Sequence, residues 1–412
     1  MTSGGIALVA AATKRETMIG IRTLLMAALA GLSTFDPAFT LSIAPVVSIA
    51  VLILGRPLTF KIDPPVLLAV LFALWAWMSM TWTTAEDFTS ATAVLWSEVL
   101  LIFIAAYDLI KSRSQLRMIA AGFVTGAVFT VAKNLYFGPD LTETAATGGR
   151  AVLGNANINY VAYALVTALV LIVVLWVSRG RTKFSVLLLG AASAVVIAGI
   201  MATDTRAAQV GAAGIVAWSL VCAVIRRQPL KLLVGVVLVA AFCIVTGIAD
   251  QASLAYESGT RVTGDWSGRL IIWPIAREMW AENPVVGLGA GAFTIMNGLG
   301  IGAHNFVLQT GTGLGLIGVG LLVALMWTAL AGSRQPLLIG AFLAGSAPLY
   351  LSGMWEASPA AWVAMAVFAR LKVLDSPRRE QDPPAANQPN APDWVKVPQS
   401  QYLIRPNAGP IR

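Results

Sequence analysis

Long apolar runs recur along almost the whole chain, and they constrain its fold more than any other feature. A helix needs about 20 apolar residues, roughly 17 to 25, to cross a bilayer. Twelve runs of about this length lie between Ile19 and Leu371. The predicted spans are residues 18–35, 38–54, 65–82, 90–110, 116–137, 158–178, 184–202, 207–225, 230–248, 304–332, 336–352 and 357–372.

These runs predict an all-α polytopic membrane protein. Only 12% of the residues are charged, against about 25% in soluble domains, so most of the chain is not built for water. An unpaired backbone group in hydrocarbon costs several kcal/mol, so apolar spans of this length are expected to be helices. The alternating pattern of a membrane β-barrel is absent from the sequence.

The basic residues predict the orientation of the chain. With the N-terminus in the cytoplasm, 22 of the 28 lysines and arginines fall on the cytoplasmic side. The other six are Lys133, Arg150, Arg206, Arg261, Arg269 and Arg277. This distribution obeys the positive-inside rule and predicts that both termini are cytoplasmic. The net charge of +8 is therefore an insertion signal and does not indicate a nucleic-acid partner.

The spans divide the chain into five regions. Residues 1–17 are predicted to be cytoplasmic, without a cleaved signal peptide. Residues 18–248 carry nine spans, 249–303 form a large periplasmic loop, and 304–372 carry three more spans. Residues 373–412 form a disordered cytoplasmic tail, since eight of the 20 prolines follow Asp375. Cys222 and Cys243 lie inside predicted spans and imply neither a disulfide nor a metal.

Two external loops are long enough to carry function, residues 138–157 and the larger 249–303. In the larger loop, apolar residues at helical spacing predict an interfacial helix on the outer leaflet. They are Leu270, Ile272, Trp273, Ala276, Met279 and Trp280. Pro274 predicts that the regular helix begins near Trp273, and Asn283-Pro284 end it. Gly287, Gly289 and Gly291 are predicted to form a tight turn. They do not indicate a nucleotide-binding motif, because such a motif follows a β-strand and no strand is predicted before them.

Residues of this loop and of the span after it resemble the O-antigen ligase and Wzy-type polysaccharide polymerase family. The resemblance is carried by Ser267-Gly268-Arg269, Trp273, Asn283-Pro284, Gly287, Gly289, Ala303-His304-Asn305, Leu308, Gly313, Gly315, Ile317 and Gly318. Upstream, Gly154-Asn155-Ala156-Asn157 and Thr205-Arg206-Ala207 resemble two further family segments. They depart from the family pattern at Ala156, where proline is usual, and at Thr205 and Ala207, where serine and glycine are usual.

The resemblance implies a membrane glycosyltransferase of GT-C-like architecture in the bacterial inner membrane. Such an enzyme moves a glycan from undecaprenyl diphosphate to an acceptor hydroxyl on the periplasmic side, with inversion and without metal, nucleotide or other cofactor. The implied partners are the lipid-linked donor, a lipid A-core or glycan acceptor, and membrane lipids, but no nucleic acid.

Three residues suit this chemistry and fall on the predicted outer side. The planar guanidinium groups of Arg206 and Arg269 can bind a diphosphate through paired hydrogen bonds and stabilise it as a leaving group. The only histidine, His304, can accept the proton of the attacking hydroxyl as a neutral imidazole. The alternatives are an Arg206 salt bridge to Asp204 or a snorkelling side chain, a solvated Arg269, and a His304 that only caps a helix.

The supporting candidates have less specific roles. Asn305 either orients the imidazole or the donor sugar, or caps a helix. Glu98 and Lys133 are ionisable groups in predicted spans and are expected to pair. Arg150, Arg261, Arg277 and Glu356 are candidates for lining the cavity.

Two functions within the family fit this pattern. A ligase transfers the finished polymer to lipid A-core, whereas a polymerase joins lipid-linked repeats of O-antigen or exopolysaccharide. We favour the ligase, because a single dominant loop with one histidine resembles the ligase arrangement. A flippase or transporter is a third alternative, although such proteins usually have internal repeats and the sequence contains none.

Overall fold

The computed structural model describes residues 20–54, 62–137, 157–178, 182–225, 269–331 and 335–374, where every regular element is a helix. The chain divides into two units, Met1–Val373 and Leu374–Arg412. Of the predicted tail, only residues 373 and 374 lie within the described ranges. The all-α prediction is confirmed for these ranges.

Thirteen α-helices are numbered within the described ranges. They are α1 Gly20–Phe35, α2 Pro37–Ile53, α3 Pro64–Met78, α4 Glu86–Leu109, α5 Arg113–Phe137, α6 Ile158–Ser178, α7 Lys183–Thr203, α8 Arg206–Val224, α9 Arg269–Glu282, α10 Ala292–Met296, α11 Phe306–Leu330, α12 Pro336–Ser352 and α13 Pro359–Ala369. Short 3-10 helices follow at Ser79–Thr81, Trp355–Ala357 and Leu371–Leu374.

Most of these helices coincide with predicted membrane spans. Seven are long and apolar enough to cross a membrane: α3 with its 3-10 extension, α4, α5, α6, α7, α8 and α11. Four shorter apolar helices, α1, α2, α12 and α13, also lie at predicted spans. The remaining predicted span, residues 230–248, lies outside the described residues. The count of twelve, the periplasmic loop and the GT-C-like architecture remain predictions.

Small residues let α1 and α5 approach each other closely. A Cβ atom added to Gly122 or Gly126 of α5 would overlap the carbonyl oxygen of Ala27 or Gly31 of α1. In both helices the small residues are four positions apart, the spacing that aligns them on one face for close backbone contact in membranes.

The core surrounds α6 and α13. The apolar window of α6 is 83% buried, and this helix contacts α5, α7, α8, α12 and α13. Every residue of α13 is buried as well. A helix that is apolar on all sides suits such a central position.

One end of the bundle gathers charges that were predicted to be cytoplasmic. The Asp108 carboxylate forms ion pairs with Arg22 Nη2 at 3.6 Å and with Lys111 Nζ at 3.1 Å. Arg370 lies 3.9 Å from Asp63, and its guanidinium stacks on the Tyr107 ring at 3.7 Å. These residues come from the start of α1 and α3 and from the end of α4 and α13. The cytoplasmic location of this end remains a prediction.

The structure corrects the prediction of one continuous span over residues 304–332. Within α11, Gly315 has φ 65° and ψ −168°, which breaks the helix. The apolar run continues through this position, so hydropathy alone gave no sign of the break.

The segment Pro284–Gly289 compensates for the hydrogen bonds that α11 loses. The carbonyls of Thr312 and Gly313 accept the N–H groups of Leu288 and Gly289 at 2.8 Å each. The N–H groups of Leu316 and Ile317 donate to Pro284 and Val285 in return. The Trp75 indole donates to the Leu314 carbonyl at 3.0 Å. These bonds pair backbone groups that the break removes from the helix, as a membrane environment requires.

Candidate functional site

Helix α9 carries Arg269 and packs its apolar face against protein. Ile272 and Ala276 are fully buried in a cluster with Phe293, Ala303 and Leu308. Trp273, Ile275, Met279 and Trp280 pack around this cluster. The tryptophan-rich face of α9, predicted to lie on the outer leaflet, therefore packs against Phe293, Ala303 and Leu308.

The start of α9 also differs from the prediction. The helix begins at Arg269, not near Trp273, and Pro274 lies inside it. Proline lacks an N–H group, so the helix loses the single bond that residue 274 would donate to the carbonyl of residue 270. The burial of Ile272 and Ala276 on either side of Pro274 offsets this loss. The predicted end before Asn283 is confirmed.

His304 has a left-handed backbone, with φ 51°. Non-glycine residues rarely adopt this conformation, and it persists where the surrounding structure fixes it. The preceding residue, Ala303, is fully buried. Its carbonyl accepts the Trp273 indole N–H at 2.8 Å, and its N–H donates to Gln309 Oε1 at 2.8 Å.

Asn305 caps α11 directly after His304. Its Oδ1 accepts the N–H groups of Val307 at 3.0 Å and Leu308 at 3.2 Å. Its Nδ2 donates to the Leu351 carbonyl at 3.3 Å. These contacts show Asn305 in the predicted capping role. The same side chain connects residues Ala303–Asn305, called the histidine loop below, to the end of α12.

Arg269 points toward the same end of α12. Its Nη2 donates to the Ser352 carbonyl, while its buried Nε has no hydrogen-bond partner among the described residues. Burial lowers the pKa of Arg269, and the nearby Tyr163 hydroxyl opposes this effect. Tyr163 also contacts Ser352, with its hydroxyl 3.3 Å from Ser352 Oγ. The Nε–H group is thus among the guanidinium donors left for an acceptor oxygen.

Arg269 and His304 are electrostatic neighbours. Burial lowers the pKa of His304, and the positive charge of Arg269 lowers it further. The imidazole is therefore neutral near pH 7 and has a nitrogen lone pair for a proton. A neutral imidazole can accept a proton, and a neighbouring guanidinium can bind an anion.

The turn after α12 places Glu356 beside this region. Glu356 is 2% exposed, and its Oε2 has no hydrogen-bond partner in the described part of the chain. Burial raises the pKa of Glu356 to about 8, although a backbone hydrogen bond opposes the shift. Its neighbour Trp355 stacks on Tyr160 and meets Tyr163 edge to face. Glu356 is therefore a buried neutral carboxyl at pH 7, in an aromatic surrounding.

Arg206 is the first residue of α8 and has an exposed side chain. The adjacent Thr205 hydroxyl lies 3.5 Å from Asn159 Oδ1 on α6. Tyr163, which contacts Ser352, is one turn further along α6. Arg206 thus lies at the same end of the bundle as Arg269 and His304, as predicted.

The supporting candidates have different outcomes. The predicted Glu98–Lys133 pairing is wrong, since no ion pair joins them within the described residues and Lys133 Nζ lies 4.8 Å from the Phe35 ring centroid. Glu98 lies on α4 and Lys133 lies on α5. Arg277 is exposed on α9. Arg150 and Arg261 lie outside the described residues, as do Ser267 and Gly268.

Sequence reasoning missed three residues that shape the site: Gln309, Ser352 and Tyr163. Gln309 is an amide inside an apolar span, and this signal was available from the sequence. Ser352 contributes its backbone carbonyl to Arg269, so its side-chain identity carries no signal.

A comparison with protein families bears directly on this site. Residues 191–323 match the family model described as O-antigen ligase. This segment contains Arg206, Arg269, His304 and the glycines around the α11 break, so the resemblance read from the sequence is confirmed. No curated protein matches the chain. Residues 191–323 are thus similar to the O-antigen ligase family, and the described part of the chain contains seven helices that are long and apolar enough to cross a membrane.

Proposed function

We propose that the chain is an O-antigen ligase-like membrane glycosyltransferase. It transfers a glycan from undecaprenyl diphosphate to a hydroxyl of lipid A-core, on the periplasmic face of the bacterial inner membrane. Three features support this proposal: the O-antigen ligase family match, the apolar helices, and the placement of Arg269 beside His304.

The observation that carries the proposal is the pairing of a neutral imidazole with an incompletely bonded guanidinium. Arg269 Nε is buried without a hydrogen-bond partner among the described residues, and leaving a charged donor unpaired is costly. An oxygen of the donor diphosphate would satisfy it. The diphosphate charge would also offset the effect of Arg269 on His304 and raise the pKa of the imidazole.

The proposed reaction is a single displacement at the anomeric carbon. The acceptor oxygen forms the new glycosidic bond while the bond to the diphosphate oxygen breaks, so the configuration inverts. His304 takes the proton of the acceptor hydroxyl. Arg269, with Arg206 at the same end of the bundle, binds the diphosphate and stabilises the charge that develops as it leaves.

The polymerase alternative uses the same donor chemistry with a lipid-linked glycan as the acceptor. The broken helix α11 bears on the transporter alternative, because transporters use such breaks to bind ions or substrates. Here the carbonyls and N–H groups at the break are paired with the Pro284–Gly289 segment and Trp75. These bonds use the carbonyls of Thr312, Gly313 and Leu314, which would be the groups to bind an ion at such a break.

Transfer by purified protein in nanodiscs tests the proposal. An undecaprenyl diphosphate-linked oligosaccharide serves as the donor and lipid A-core as the acceptor. We expect His304→Ala and Arg269→Ala to lower the rate at least about 100-fold. Lys183→Ala, at the exposed start of α7, is a charge-removal control that keeps its activity. Equal rates for wild type and both variants would show that the proposal is wrong.

The glycans of a deletion strain separate the ligase from its alternative. Polymer that accumulates on the lipid carrier while lipid A-core stays bare supports the ligase. Lipid A-core capped by one repeat supports a polymerase instead. Loss of a secreted polysaccharide with unchanged lipopolysaccharide would assign the enzyme to exopolysaccharide synthesis.

A further inference from the structure

Two hydrogen bonds hold the residue before His304 from opposite sides. Trp273 Nε1 donates to the Ala303 carbonyl, and the Ala303 N–H donates to Gln309 Oε1, both at 2.8 Å. Ala303 is fully buried, so water cannot replace either partner. Loss of one bond would leave a buried backbone group unsatisfied, which disfavours this conformation of residues 303–305.

The residue after His304 is fixed as well. Asn305 caps α11 through Val307 and Leu308 and donates to the Leu351 carbonyl. The Cα atom of His304 therefore lies between two anchored residues. This arrangement accounts for its left-handed backbone, which costs energy unless its surroundings determine it.

Trp273 follows Arg269 by one helical turn, so both side chains lie on the same face of α9. This helix thus presents the arginine and also holds the histidine loop. We propose that Trp273 and Gln309 are positioning residues for His304, which fix its left-handed backbone and keep the imidazole beside Arg269. The inference rests on the proposed function, which gives His304 its catalytic task.

The alternative is that Trp273 and Gln309 only stabilise the loop. Trp280 supplies a matched comparison, because it lies on the same helix and packs on the same apolar cluster. Its indole N–H donates to the Pro284 carbonyl at 3.2 Å, whereas the Trp273 indole N–H donates to Ala303. Trp273→Phe and Trp280→Phe each remove one indole N–H group and keep an aromatic ring.

The first test measures transfer by the full-length protein in nanodiscs, with the donor and acceptor named above. We expect Trp273→Phe to lower kcat about 10- to 100-fold, as misplacement of a catalytic group does, and to change the donor KM less than about threefold. Trp280→Phe keeps kcat within about threefold of wild type. A role in stability alone would lower the melting temperature in both variants without lowering kcat of the folded enzyme.

Gln309 variants give a second readout. Gln309→Leu removes the acceptor for the Ala303 N–H, so we expect a loss of kcat similar to that of Trp273→Phe. Gln309→Glu keeps an acceptor and restores most of the activity. Its negative charge near His304 raises the pKa of the imidazole, so the acidic limb of the pH–rate profile moves to higher pH.

The outcomes separate this inference from the proposed function. If His304→Ala is inactive while Trp273→Phe and Gln309→Leu keep wild-type kcat and pH profiles, the positioning role is wrong and the proposed function stands. If His304→Ala transfers glycan as fast as wild type, the proposed function is wrong, and the positioning role falls with it.

Discussion

Gly315 lies directly against the carbonyl group of Val285, at the point where α11 breaks and the Pro284–Gly289 segment inserts. A Cβ atom added to Gly315 would overlap that carbonyl, and one added to Gly287 would lie 2.5 Å from the Gly313 carbonyl. The glycines of the two sequence motifs are therefore partners in one backbone contact. The glycines allow the Pro284–Gly289 segment to approach α11 closely enough to bond its backbone at the break, which explains their presence without a nucleotide-binding motif.

This contact predicts that Gly315→Ala destabilises the protein by at least about 2 kcal/mol. The variant meets both a left-handed backbone and an overlap with Val285, and neither can be relieved without moving the inserted segment. Gly320→Ala, in the same helix, has no atom within 4 Å of the added Cβ. It should be neutral or stabilising by up to about 1 kcal/mol. Thermal unfolding in detergent measures both, and equal melting temperatures would contradict the prediction.

The helices were largely predictable because membrane burial leaves its record in composition. The predicted span 158–178 coincides with α6, Ile158–Ser178, since polar or basic residues bound the apolar run at both ends. The break at Gly315 was not predictable in this way. It depends on hydrogen bonds from a segment that lies 24 to 32 residues earlier in the chain, and periodicity within one helix does not record such partners.

The site followed a similar pattern. Arg206, Arg269 and His304 were predicted as site residues because few residue types can bind a diphosphate or accept a proton near neutral pH. The structure adds what holds them: the Trp273 and Gln309 bonds to Ala303, and the Ser352 carbonyl at Arg269. Two of these three contacts use backbone groups as acceptors, and one uses a backbone donor. Because every residue type carries these backbone groups, the sequence gives no sign of which residue supplies them.

Asn305 has two separable contacts, the cap of α11 and the bond to Leu351. Asn305→Asp keeps a carboxylate oxygen for the N–H groups of Val307 and Leu308 but loses the donor to Leu351. Asn305→Ala loses both, so we expect about 1 kcal/mol lower stability than for Asn305→Asp. Paired thermal melts near pH 7 measure the difference. An alanine variant as stable as the aspartate variant would show that the cap contributes nothing.

Glu356 predicts a pH dependence of stability. Burial raises the pKa of this carboxyl to about 8, so the folded state holds a proton that the unfolded state releases near pH 4.5. Its stability contribution is fully present below about pH 4.5 and is lost as the pH rises through about 8. Glu356→Gln stays neutral and should lose less melting temperature than wild type between about pH 5 and 9. Parallel curves for the two proteins would contradict the assignment.

The single histidine of the chain allows a direct test of its coupling to Arg269. Burial and the Arg269 charge both lower the pKa of His304, so it should titrate below the ordinary value of about 6.5. Arg269→Gln removes the positive charge and should raise that pKa, because the protonated imidazole no longer faces a cation. Protein labelled with ¹⁵N-histidine gives the pKa of one side chain by NMR in both proteins. Lys183→Ala, at the start of α7, is the control and should leave the titration unchanged. If the pKa of His304 is the same in Arg269→Gln and in wild type, the two side chains do not interact electrostatically. The proposed cooperation between diphosphate binding and base catalysis would then have no physical basis.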